Sequence, residues 1–316
     1  MPPFKKTVAT KKKKTIPKSA IKKTSPPKKR DPAKLNLKKM AAVQKKIHTL
    51  LNHERNKWIY KRDCGMGKVA FAVSKPPANK EILFSGLTKR LKQVLYPDTQ
   101  ENPMMRSKQD HRAHRYYAPR IRKKEKTSFC NMSGSDHGRL VHGQLDYYIK
   151  KLQTNRTLTI DQCFPNGTYD KCVLSILNLF HIKQWDVVAT EHAIADDTCR
   201  VATAIDIVVF EKTTNKMILL ELKTGYESEE YGAHPDDPMF PSPFDKYANC
   251  PKNRHMLQVM GMKEILSRQY HIHVDESYIL RILPNSNSRA VVVKLAPWAK
   301  EKKNRDNLYE LLCASE

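Results

Sequence analysis

Two carboxylates and a lysine, set in two consecutive apolar runs, are the side chains of this sequence best placed to do chemistry. The runs are Thr203-Ala-Ile-Asp206-Ile-Val-Val-Phe210 and Met217-Ile-Leu-Leu-Glu221-Leu-Lys223-Thr-Gly225. Their β-branched content reads as two strands, joined by a polar turn around Thr213, Thr214 and Asn215. Residues two apart in a strand share a face, so Glu221 and Lys223 project together while Leu222 points the other way. If the strands pair, Asp206 lies beside Glu221. Two carboxylates and one ammonium on a buried sheet are costly to leave bare. A divalent cation with oxygen ligands accounts for them, and Mg²⁺ or Mn²⁺ fits. Lys223 would then orient or activate a water, or stabilise charge on a phosphate. The plain alternative is a surface hairpin with an exposed Glu221–Lys223 pair, which is worth little. The flanking Ile205, Ile207, Val208, Val209, Ile218, Leu219 and Leu220 argue for burial on both faces instead.

Three further residues have suitable chemistry but do not stand out singly. His142 lies four residues after Gly138 on an expected helix, where an imidazole is either a third ligand or a core residue. Glu191 closes the strand before the hairpin and is either another ligand or an edge glutamate in water. Gln258 lies on the helix that follows, where it would hydrogen-bond a substrate or hold Lys223, or do neither.

The elements that must position these residues are legible from about residue 133 onward. Ser133-Gly-Ser135-Asp136 can cap a helix carrying Leu140, Val141, Leu145, Tyr148 and Ile149. A second helix is expected over 168–181, and a strand over 185–194 precedes the hairpin. A polar, Pro-rich loop spans 226–251. A helix over 252–269, strands over 277–283 and 289–295, and a last helix from about 297 complete the order. Helix, three strands, helix and strand imply an α/β domain with a mixed sheet flanked by helices.

Gly138-Arg-Leu-Val-His142, Glu191, Ala204-Ile-Asp206-Ile-Val, Glu221-Leu-Lys223-Thr-Gly and Gln258, in that order, resemble the PD-(D/E)xK nuclease superfamily. The RecB-type branch, which includes lambda exonuclease, is the most similar. The resemblance covers about 133–270. It implies a restriction-endonuclease-like core, with His142, Asp206 and Glu221 as metal ligands. It also implies a metal contact from the Leu222 carbonyl, Lys223 as catalytic lysine and Gln258 as an ancillary site residue. Two positions depart from the pattern: Ala204 replaces a glycine, and Met262 stands where a tyrosine is usual. Some relatives hold an iron–sulfur cluster through four cysteines. The seven scattered cysteines here, with no CxxC pair, do not support one and read as reduced thiols. No GxxxxGK[ST] motif is present, so a fused helicase motor is not expected.

Charge is divided unevenly along the 316 residues. Residues 1–40 carry 15 Lys/Arg and one Asp, and residues 41–130 carry 21 Lys/Arg and 7 Asp/Glu. The remainder is nearly neutral. An excess of this size points to a polyanion, nucleic acid first. The expected division is a disordered basic tail (1–35), a basic, partly helical nucleic-acid-binding extension (36–130) and the nuclease-like domain (131–316). Residues 36–62 read as helix. Within the extension, Arg112, Arg115, Tyr116, Tyr117, Arg120 and Arg122 interleave cations with aromatic rings, as a phosphate track with base stacking requires. The alternative is a solvated segment whose tyrosines pack on the core. Lys11–Lys14 and Pro26-Pro27-Lys28-Lys29-Arg30 resemble nuclear localisation signals, implying a nuclear import receptor and a nuclear protein. A mitochondrial leader, or a virion and host-nucleus location, are the competing readings. No apolar run is long enough for a membrane span.

The function these features imply is a metal-dependent deoxyribonuclease acting on single- or double-stranded DNA in replication, recombination or repair. Exonuclease is preferred to endonuclease on the branch resembled, and replication or recombination proteins are candidate partners. The rivals are a catalytically inactive nucleic-acid-binding or packaging protein, and a ribonuclease with the same site.

Overall fold

The computed structural model describes residues 32–57, 59–63, 69–74, 81–96, 134–164, 167–224, 231–235, 237–283 and 288–314. The tail and the Arg112–Arg122 segment, with Tyr116 and Tyr117, lie outside the described residues, as does the Ser133 cap.

Eight strands form one mixed sheet in the order β1 (Ile59–Asp63), β2 (Val69–Ser74), β3 (Glu81–Gly86), β5 (Val201–Glu211), β6 (Lys216–Thr224), β7 (Glu276–Leu283), β8 (Arg289–Lys294), with β4 (Trp185–Asp196) also paired to β5. β3–β5 and β6–β7 are parallel, and the other pairs are antiparallel. Helices cover both faces, so the α/β mixed-sheet class implied by the element order is the observed one. On one face, α1 (Pro32–Leu51), α2 (Leu87–Leu95), α5 (Pro251–Gln269) and α6 (Lys302–Cys313) pack through Leu50, Leu91, Met260 and Leu308 against Val208 and Leu219. On the other, α3 (Gly134–Thr154) and α4 (Lys171–Lys183) pack through Val141, Leu145, Ile176 and Phe180 against Ile207, Val209, Ile218 and Leu220. β6 therefore alternates faces and is buried on both, as its unbroken apolar composition requires.

Local chemistry sets the helix ends. Asp170 caps α4 by accepting the Cys172 N–H, and Gln184 closes it in the left-handed region at φ 53°. Pro251 starts α5 at a position where a missing N–H costs nothing. Asn215, at φ 52°, makes the β5–β6 turn.

Three expectations are corrected. The helix expected over 36–62 ends at Leu51, and Ile59–Asp63 is a strand paired to β2. The apolar stripe of Leu37, Met40, Val43, Ile47 and Leu51 ends with the helix, and the polar residues 52–57 separate it from the strand. The last helix is broken into a short turn at Pro297–Lys300 and α6. Cys199 and Cys313 are joined by a disulfide, where reduced thiols were expected. The two lie 114 residues apart, so only the docking of α6 brings them together. Residues of the 36–130 segment (Val43, Leu50, Leu87, Leu91 and Leu95) share one core with α5 and α6, and β3 joins β5.

Candidate active site

Asp206 and Glu221 occupy the point where β5 and β6 part. Their ladder ends at Ile207↔Leu220, and the next position on each strand is the carboxylate. The β4–β5 ladder passes from Thr190↔Ile207 to His192↔Ile205, which sets Glu191 opposite Asp206. Glu191, Asp206 and Glu221 thus form one row across three strands. Where the strands separate, the Leu222 N–H loses a ladder partner, and the Asp206 carboxylate supplies one through Oδ2 at 2.7 Å. Glu191 sits at φ 47°, a left-handed conformation that costs a non-glycine residue about 1–3 kcal/mol. Next to it, the Thr190 hydroxyl donates to Asp146 Oδ1 at 2.6 Å and ties β4 to α3.

α3 brings His142 to this row from the other layer. Its Nδ1 lies 3.0 Å from Glu191 Oε1 and 3.7 Å from Asp206 Oδ1, and its Nε2 lies 3.3 Å from the Leu222 carbonyl oxygen. Burial alone would lower the imidazole pKa. Asp206 and Glu191 outweigh it and hold the group up at about 9. One turn before His142, Gly138 lets α3 approach β6: a Cβ there would stand 3.1 Å from Thr224 Oγ1.

Glu221 is fully buried. Lys223 donates to its Oε1, while Oε2 has no hydrogen-bond partner. Burial first, and then the charge of Asp206, push the carboxyl up to about 7 against the pull of Lys223 and His142. A buried carboxyl oxygen left without a partner is compatible with an acceptor for a cation or a water.

One donor atom from each of His142, Glu191 and Asp206 lies within 4.8 Å of the other two. Two ligands of one Mg²⁺ or Mn²⁺ ion, each at about 2.0–2.4 Å, stand no further apart than this. The donor set, one imidazole and two carboxylates, suits such an ion. Glu221 lies outside that triplet, turned toward Lys223 on the adjoining position. The structure therefore brings His142, Glu191, Asp206 and the Leu222 carbonyl together and sets the Glu221–Lys223 pair beside them. Gln258 is half-buried on α5, and none of the described hydrogen bonds of the cluster involves it. Met262 is buried in the core, so no polar group faces the site from that position.

Sequence reasoning missed the neighbours of Lys223. Arg281 pairs with it in register from β7. A charge inside the apolar run Tyr278-Ile-Leu-Arg281-Ile-Leu is the same signal that marked Glu221, and could have found it. His137 and Asp170, 2.7 Å apart, were also missed. They serve the cap of α4.

No family model and no curated protein matches this chain. Among solved structures, it is similar to a crystal structure named "Putative exonuclease" from Eubacterium rectale, at TM-score 0.31 and 10% identity, over 69% of this chain and 83% of that one. A likeness at that level does not establish a shared fold.

Proposed function

We propose that the protein is a metal-dependent phosphodiesterase that cuts DNA, working as an exonuclease. One observation carries this reading. An imidazole and two carboxylates from three separate elements converge within the span of a single ion, beside a buried carboxylate–lysine pair. His142, Glu191, Asp206 and the Leu222 carbonyl would hold the ion, with Glu221 joining through its unpartnered oxygen. When bound, the ion supplies a more acidic water and charge stabilisation at a phosphate. Lys223, held by Glu221 on the same strand face, is placed to orient that water or meet charge developing on the phosphate oxygens. The basic residues before 131 supply sequence-independent affinity for the strand, and this affinity falls steeply with salt. The Lys-rich runs at 11–14 and 26–30 favour a nuclear protein that uses an import receptor.

Degradation of end-labelled DNA and RNA, with Mg²⁺ or Mn²⁺ and with chelator, tests the reading. Cleavage of DNA that needs metal, and that Asp206→Asn and Lys223→Ala each reduce by about 10²-fold or more, supports it. Equal activity of wild type and both variants would reject it. Preference for RNA would make the protein a ribonuclease with this site.

A further inference from the structure

Where α3 and α4 begin, three side chains with metal-ligand chemistry meet, and none of them belongs to the cluster at Asp206. His137 lies in the first turn of α3, while Asp170 is the N-cap of α4 and Cys172 its second residue. One donor atom from each lies within 4.8 Å of the other two. His137 Nε2 is 2.7 Å from Asp170 Oδ2, and Asp170 Oδ1 accepts the Cys172 N–H at 2.8 Å. The Cys172 thiol bonds to the same carboxylate. His137 is 7% exposed and Cys172 is fully buried. Capping a helix requires only the carboxylate. A buried imidazole and a buried thiol set against that carboxylate do not follow from the cap.

Nitrogen, oxygen and sulfur donors together favour Zn²⁺ over Mg²⁺ or Mn²⁺. Ligands at about 2.0–2.3 Å from a tetrahedral zinc stand about 3.3–3.7 Å from one another. His137 Nε2 and Asp170 Oδ2 need only open from hydrogen-bond contact by about half an ångström to reach that spacing. The Asp170 oxygen that faces His137 is not the one that caps α4, so cap and ligand do not compete. Cys172 stands at the start of a 13-residue helix, where a thiolate is favoured. The frame is set in advance. Gln144 of α3 donates to the Thr168 carbonyl at 3.0 Å and accepts the Asp170 N–H at 2.7 Å. The turn leading to two of the donors is thus tied to the helix that carries the third.

We propose that His137, Asp170 and Cys172 bind one Zn²⁺ ion that staples the start of α3 to the start of α4, with water in the fourth position. Binding releases the thiol proton and the proton between His137 Nε2 and Asp170. The hydrogen-bonded trio is the zinc-free form of the same site. His142 follows His137 on α3, so the staple also fixes the helix that presents His142. It stands whether or not the chain cuts DNA.

The test uses the full chain, stripped with chelator and reloaded with Zn²⁺ or Co²⁺. In Asp206→Asn, which disables the other cluster, about one equivalent of zinc per chain should survive dialysis. Co²⁺ should give the wild type the near-ultraviolet charge-transfer band of a thiolate ligand, and the ligands at Asp206 offer no sulfur to produce it. Cys172→Ser should lose this band and bind zinc about 10²-fold or more weakly. Zinc should raise the unfolding temperature of wild type and of Asp206→Asn, and should not raise that of a Cys172→Ser and Asp206→Asn double variant. If Cys172→Ser does not fold, His137→Gln takes its place in the zinc-affinity measurement, and the wild-type cobalt spectrum still decides. A wild type without the thiolate band overturns the zinc site. A band that survives Cys172→Ser places the ion on another cysteine and overturns it too, as does zinc affinity unchanged in both Cys172→Ser and His137→Gln. Cleavage plays no part in these readings, so they fail or succeed apart from the nuclease.

Discussion

Glu221 is a buried acid whose surroundings disfavour its own charge. Burial and Asp206 raise its pKa to about 7, so near neutral pH the metal-free protein gains little from having it ionised. Glu221→Gln should therefore keep wild-type stability in chelator to within about 1 kcal/mol at pH 7, by denaturant unfolding. The same variant should lose metal-dependent cleavage by about 10²-fold or more. A stability loss of about 3 kcal/mol or greater would show instead that the ionised Glu221–Lys223 pair holds the strands together.

Two contacts between elements decide whether the site is assembled. The first is the approach of α3 to β6 at Gly138, where an added Cβ would meet Thr224 Oγ1 at 3.1 Å. Gly138→Ala should lose stability, but by less than the usual overpacking cost of about 1–3 kcal/mol, because alanine gains about 1 kcal/mol over glycine within a helix; cleavage should fall to the extent that α3, which carries His142, shifts. Adding Thr224→Ala removes the obstructing atom and should restore most of the lost stability, which a double-mutant cycle measures. Additive losses would mean the two elements do not press on each other there.

The second contact is Asp170, which accepts the Cys172 N–H at 2.8 Å and faces His137 of α3 at 2.7 Å. Burial would raise its carboxyl. The bonds from His137 and Cys172 override this and hold it at about 2, down from 3.8. A depressed folded-state pKa gives stability that is present above the unfolded value and is lost as pH falls through the folded one. About 2 kcal/mol should therefore disappear between pH 4 and 2 in the wild type. In Asp170→Asn this loss should be absent, so the two unfolding curves converge at low pH. A gap between them that stays constant over that range would contradict the assigned pairing.

At the scale of the molecule, charge and packing divide the chain differently. The basic excess stops near residue 130, but the core does not. Leu87, Leu91 and Leu95 of α2 pack in one cluster with Leu257, Met260 and Leu308. Leu91→Ala should cost about 2–5 kcal/mol and lower a single cooperative unfolding transition. A chain trimmed to 131–316 loses α1, α2 and β3 and should not reach the native circular dichroism spectrum. Independent folding of the trimmed chain would restore the boundary suggested by charge.

The strands that carry Asp206 and Glu221, the helix with His142 and the two-faced burial of β6 were legible in the residues, because period and apolar composition are local properties. The same logic marked Lys223 as the partner of Glu221. The end of α1, the strand at Ile59–Asp63 and the Cys199–Cys313 link were not legible. Each depends on which distant segment packs against which, and no spacing along the chain encodes that. The sequence by itself determined which groups could do chemistry. The tertiary structure decided that Glu191, rather than Glu221, shares the tightest cluster with His142 and Asp206. The reason is geometric: β5 and β6 separate at that row, Asp206 turns to satisfy the Leu222 N–H, and Glu221 is left to Lys223.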